Sequence, residues 1–125
     1  MSAVLWQRVE GGLVFLVALF GVFTLNADAA NLPWWQLLIL FFAPDLGFLG
    51  YLGGPRIGAQ VYNVMHLYGA VLALAVVGAG LFGNGNSVVV GCVWMAHVGF
   101  DRMLGYGLKQ PTGFDDTHLG RIGRQ

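Results

Sequence analysis

The chain has 125 residues, 57% hydrophobic and only 10% charged, with six acids balanced by six Lys and Arg. A soluble domain carries about 25% charged residues, so this composition excludes an ordinary soluble enzyme or binding module and predicts an integral membrane protein. Zero net charge supplies no basic face for nucleic acid. The single cysteine, Cys92, allows neither an internal disulfide nor a paired-cysteine metal motif, and in its apolar run it reads as a packing residue.

A membrane-spanning helix takes about 20 mostly apolar residues. The first such segment covers about 4–27, carries no charge after Glu10 until it ends at Asn26-Ala27-Asp28. Arg8 and the small-x-small triplet Ala27-Asp28-Ala29 also give it the look of a secretory leader. Glu10 and the length of the apolar core favour an uncleaved span. The second segment, about 32–52, is entered through Pro33, interrupted at Pro44-Asp45 and closed by Gly53-Gly54-Pro55. The third runs over about 57–82 and ends in the polar turn Asn84-Gly85-Asn86-Ser87. The fourth runs over about 88–108. Pro111-Thr112-Gly113 then breaks the chain within a polar tail, 109–125.

The predicted fold is therefore all-α: a polytopic membrane protein, one transmembrane domain over 1–125, built as a four-transmembrane-helix bundle. Arg8, Arg56, Arg102, Lys109, Arg121 and Arg124 all fall on one side of such a topology. The positive-inside rule puts that side, with both termini, in the cytoplasm. Trp34 and Trp35 suit an outer aromatic belt, and Trp6, Tyr51 and Tyr106 an inner one. Gly69-x-x-x-Ala73 and Ala75-x-x-x-Ala79 give the third span a small-residue face for close helix contact or a homodimer.

Between Arg56 and Asp101 there is no Asp, Glu, Lys or Arg, and the only histidines there are His66 and His97. An ionisable group inside lipid costs roughly 2.5–3.5 kcal/mol on insertion scales, so a chain that keeps one compensates it. At 1.5 Å rise per residue, Asn63 and His66 lie about 9 and 13 Å into the third span, and Asp45 and Asp101 about 10 Å from the inner ends of theirs. His97 is one turn deeper than Asp101, and Glu10 stands at the inner end of the first span. All four spans thus bring a polar group to the cytoplasmic half. His97 and Asp101 share a face at i, i+4, as do Asn63 and His66 at i, i+3, and Tyr62 lies one turn before His66. Asp115, Asp116 and His118 stand in a tail that can fold over the inner mouth.

Three readings fit this pattern. In the first, Asp45, His66, His97 and Asp101 bind a divalent transition metal such as zinc, with His118 as a fifth ligand, and the same groups serve acid–base chemistry in a hydrolase. Tyr62, Asn63, Arg102 and Glu10 then stand behind the ligands, Glu10 alternatively pairing with Arg56 or Arg102. In the second, the four groups form a proton or ion relay. In the third, the acids pair with Arg8, Arg56 and Arg102 in a structural or accessory subunit of a larger membrane complex. No HExxH, GxSxG, Walker or Rossmann pattern occurs, and Gly105-x-Gly107 reads as a helix end.

Several blocks carry a resemblance: Arg8-Val9-Glu10-Gly11, Ala43-Pro44-Asp45-Leu46, Leu49-Gly50-Tyr51-Leu52, Gly54-Pro55-Arg56, Tyr62-Asn63-x-x-His66, the run from Ala96 to Lys109, and the run from Thr117 to Gly123. On these the chain resembles the small bacterial membrane family catalogued as domain of unknown function 4260, over nearly its whole length. One departure is Gly47, where the family pattern leads to serine. The resemblance implies a bacterial inner-membrane protein of about four spans among membrane lipids, and implies no activity or substrate. In residue type alone, His and Asp in a small helical bundle are similar to metal-dependent membrane hydrolases.

Overall fold

Ser2 starts the first helix, its Oγ accepting the Leu5 N–H at 3.2 Å. The computed structural model describes residues 1–83 and 85–123; Asn84 of the predicted turn and Arg124 and Gln125 of the tail lie outside the described residues. Helix α1, Ala3–Leu25, closes in a π turn, Asn26–Ala30. The Asn26 side chain holds the following loop. Its Nδ2 donates to the Leu32 carbonyl at 2.9 Å, and its Oδ1 accepts the Leu32 N–H at 2.8 Å.

Helix α2, Trp34–Phe42, passes into a 3₁₀ segment, Ala43–Gly53. Pro44 has no N–H and its ring clashes with the carbonyl four residues back, so the α pitch stops beside it. Helix α3 is Pro55–Met65, α4 is Tyr68–Phe82 and α5 is Asn86–Leu104. The predicted third span is therefore two helices, bent by 54° at His66-Leu67. The break frees backbone carbonyls, and α5 satisfies them. Trp94 Nε1 donates to Met65 O at 2.8 Å, and Arg102 Nη2 to His66 O at 3.4 Å. Irregular backbone at membrane depth is tolerated only where protein groups satisfy it in this way.

Three helical stretches are long and apolar enough to cross a membrane: Ala3–Ala30, Trp34–Gly53 and Asn86–Leu104. The bent pair α3–α4 is a fourth if it counts as one span. Helix α5 is the hub, packed by α1, α2 and α4, while α3 packs on the 3₁₀ segment. Helices α1 and α5 approach closely backbone to backbone, where a Cβ on Gly99 would lie 2.7 Å from Phe15 N. On α4, Ala75 abuts Gly91 of α5, whereas Gly69 faces open space. Val22, Val89 and Val93 form the buried core with Leu37, Leu40, Phe41 and Cys92 around them. The outer faces stay apolar, with Val17 72% and Phe23 71% exposed. Such a surface belongs in acyl chains rather than in water.

The fold is mostly helical rather than all-α, because part of the tail forms a three-stranded antiparallel sheet in the order β1 (Lys109–Gln110), β2 (Gly113–Thr117), β3 (Gly120–Arg121). Strands this short leave no readable alternation. The Tyr51 ring packs on Gly58 and Phe114.

Helix α5 ends as its glycine predicts. Gly105 takes the left-handed conformation at φ 97°, its N–H bonds Arg102 O at 3.1 Å, and the Tyr106 N–H bonds Asp101 O at 2.8 Å. Asn63 of α3 then receives the outgoing chain. Its Oδ1 accepts the Lys109 N–H at 2.6 Å and its Nδ2 donates to Lys109 O at 2.9 Å.

Candidate metal centre

His66 occupies the break between α3 and α4, where the chain leaves helical geometry at φ −113°. Its Nδ1 lies 2.8 Å from Tyr62 O. A carbonyl only accepts, so Nδ1 carries the proton and the Nε2 lone pair is free. The bend aims that lone pair at α5. There His97 and Asp101, one turn apart, present Nε2 and Oδ2 to it at 3.2 and 3.5 Å. Asp45, just after Pro44 in the 3₁₀ segment, closes the group. Its Oδ1 lies 3.4 Å from His97 Nε2 and 3.8 Å from His66 Nε2. His97 Nε2 and Asp101 Oδ2 are 3.5 Å apart.

One ligand atom from each of the four side chains thus lies within 4.8 Å of every other. A tetrahedral zinc site with ligands at about 2.0–2.1 Å has ligand-to-ligand edges of about 3.3–3.4 Å. Five edges here measure 3.2 to 3.8 Å. Two carboxylates and two neutral imidazoles also match the charge of a divalent ion. The imidazoles are sealed, at 2% and 3% exposed, while Asp101 and Asp45 rise to 16% and 34%. The group therefore opens on its carboxylate side.

Aromatic side chains wall the buried side. The Tyr62 ring stacks on His66 at 3.7 Å and its hydroxyl donates to Asp101 Oδ2 at 3.3 Å. Phe41 meets His97 edge-on at 5.2 Å. His97 Nδ1 is buried with no hydrogen-bond partner among the described residues. A Cβ on Gly47 would lie 3.1 Å from Tyr62 Cα, so that position supports Tyr62 rather than the ligand atoms.

The structure gathers Asp45, His66, His97 and Asp101, with Tyr62 beside them, and leaves other candidates outside. His118 does not supply a fifth ligand. Its Nδ1 accepts the Leu108 N–H at 2.8 Å and its Nε2 meets Gln7 Oε1 at 3.1 Å, so the tail docks on the start of α1. Glu10 is exposed and, among the described residues, pairs with neither Arg56 nor Arg102. Asn63 holds the Lys109 backbone, and Arg102 holds the His66 carbonyl and lies 5.8 Å from the Tyr68 ring centre. Among the described residues the one Arg–carboxylate pair is Arg121–Asp116 at 3.7 Å, so neither Asp45 nor Asp101 is neutralised by arginine.

Sequence reasoning missed Lys109 as more than a topological charge. It is 5% exposed, its ammonium 4.0 Å from the Phe114 ring centre and 5.2 Å from that of Tyr62. Burial pushes its pKa down, against the pull of Asp115 and the carboxylates of the cluster. Its signal in the sequence was only that it is the first cation after the fourth span. His118 is also pushed down, by burial and then by the Arg102 guanidinium.

Comparison with curated proteins and with solved structures gives no match. A family model, described as Domain of unknown function (DUF4260), matches residues 4–122, which include every residue of the cluster, and the chain belongs to that family.

Proposed function

We propose that this chain is a bacterial inner-membrane protein, a four-helix bundle with both termini in the cytoplasm, that holds a divalent transition metal such as zinc between Asp45, His66, His97 and Asp101. The observation that carries the metal is the convergence of four ligand atoms from the 3₁₀ segment, the α3–α4 break and α5, at edges that suit a tetrahedral ion. Support for the topology is the placing of every cation at the N-terminus, the second loop, the end of the fourth span or the tail. The bent pair α3–α4 acts as the third span.

The activity proposed is hydrolysis of a lipid-like substrate at the inner leaflet. A divalent ion supplies Lewis acidity toward a substrate oxygen or water. The chain's own residues do the rest. Tyr62 holds Asp101 in place, and the Tyr62 carbonyl fixes the His66 tautomer. The half-exposed Asp45 is the side chain at the open edge, in reach of a substrate. Elemental analysis of protein purified without chelators tests the reading. About one transition metal per chain is expected in wild type, and its loss in His66→Ala and His97→Ala. A metal-free wild type, with both variants equally stable, removes it.

One observation favours a second reading, a proton relay: the Nε2 atoms of His66 and His97 lie 3.2 Å apart, a hydrogen-bond distance. That reading requires proton flux in liposomes that Asp45→Asn or Asp101→Asn abolishes. Among the described residues, the accessory-subunit reading lacks the arginine pairs it requires at Asp45 and Asp101.

A further inference from the structure

Lys109 is a buried cation with no carboxylate partner among the described residues. What surrounds it is aromatic. Phe114 and Tyr62 lie against the ammonium, Phe48 packs on both at 5.4 and 5.2 Å, and Tyr51 packs on Phe114 at 5.3 Å. Aromatic faces attract a cation but do not neutralise it. A lysine needed only to anchor a span would extend its amine to water. Here the side chain is covered almost to its tip, and the backbone is pinned in that place by both hydrogen bonds to Asn63.

Position gives this amine a use. The Tyr62 ring beside the ammonium is the same ring that stacks on His66 and whose hydroxyl reaches Asp101. Lys109 therefore stands one aromatic ring away from the ligand cluster. Two carboxylates and a divalent ion cancel, so Lys109 is the charge left beside the centre, shared with Asp115 of β2. The site lies where the last span gives way to the polar tail, after the Gly105 helix end. In a bilayer that level is occupied by headgroups, whose anionic part is phosphate. A tetrahedral phosphate carries enough oxygens to meet the ion with one and an ammonium with another.

We propose that Lys109 is a phosphate anchor of the metal centre, and that the site takes a phosphate-bearing substrate, as a lipid headgroup or a soluble phosphate. The inference rests on the metal-centre reading and names the substrate class of that same site.

The test uses the full-length protein in a neutral detergent, loaded with Co²⁺, whose visible spectrum reports on its ligands. Inorganic phosphate is titrated in one arm and phosphatidic acid in mixed micelles in another, with acetate as the control. Wild type is expected to respond to phosphate and not to acetate. Lys109→Met is expected to weaken that response at least tenfold with cobalt content unchanged, and Lys109→Arg to restore most of it. Both phosphate arms support the proposal, and the tighter one names the source. In unmutated protein, phosphate is expected to slow acetylation of Lys109 by an anhydride, read by mass spectrometry, which keeps the test independent of how the variants fold. An equal response in Lys109→Met with cobalt retained, an equal response to acetate, or no protection of Lys109 overturns the anchor alone. A wild type that binds no cobalt overturns the metal centre, and the anchor with it.

Discussion

At the residue scale, two of the four clustered side chains, His66 and Asp101, are oriented by one neighbour. Tyr62 does this twice, through its carbonyl on His66 Nδ1 and its hydroxyl on Asp101 Oδ2. Tyr62→Phe keeps the carbonyl and the stacked ring and removes only the hydroxyl. It is expected to weaken metal affinity about tenfold, the lower end for loss of such a supporting bond, with helix content unchanged. A competition titration against a chelator measures it, and an unaltered affinity would mean that Asp101 is held by other means. The four residues of the cluster stood out in the sequence because lipid makes every ionisable side chain conspicuous. His118 and Asn63 were misread for a common reason. Composition shows that a polar group is present but not whether a backbone N–H will claim it first, as Leu108 claims His118 and Lys109 claims Asn63.

At the scale of the elements, α5 organises the site, and its packing depends on bare backbone. A side chain at position 99 would strike α1, since even a Cβ there lies 2.7 Å from Phe15 N and 2.9 Å from Gly11 O. Gly99→Leu is therefore expected to destabilise the protein by about 1–3 kcal/mol, the usual range for overpacking. Unfolding in mixed detergent measures it, and Gly69→Leu, at a position facing open space, serves as the neutral comparison. The sequence displayed small residues on α4, but which glycine meets another helix depends on a pairing that is not written locally. The α3–α4 break was hidden for the same reason. No proline or glycine marks His66-Leu67, and the bonds that stabilise the break come from Trp94 and Arg102 of α5. The tail sheet makes a separate prediction. His118 accepts the Leu108 N–H only as a neutral ring, and its pKa is lowered in the folded protein. The unfolded chain then binds the extra proton first. The contribution of His118 is fully present above about pH 6.5, its unfolded value, and is lost as pH falls toward the lowered folded value. Amide exchange at Leu108 should accelerate on going below that pH relative to the intrinsic rate, and His118→Gln should flatten the difference.

At the scale of the whole molecule, the asymmetry between one apolar half and one polar half of the spans was plain from residue order, and it supports the proposed topology. Reporter fusions after residue 125 and within the second loop are expected to score cytoplasmic, and a fusion in the loop between the first two spans to score external. What residue order could not supply is the convergence itself, because Asp45, His66 and the His97–Asp101 pair come together only through the Pro44 change of pitch and the 54° bend. The most direct measurement of that convergence is X-ray absorption on the zinc-loaded protein. The expected result is an ion with two imidazoles and carboxylate oxygens at about 2.0–2.1 Å, and no zinc retained by His97→Ala. A first shell of water oxygens without imidazole, or a sulfur ligand, would contradict it.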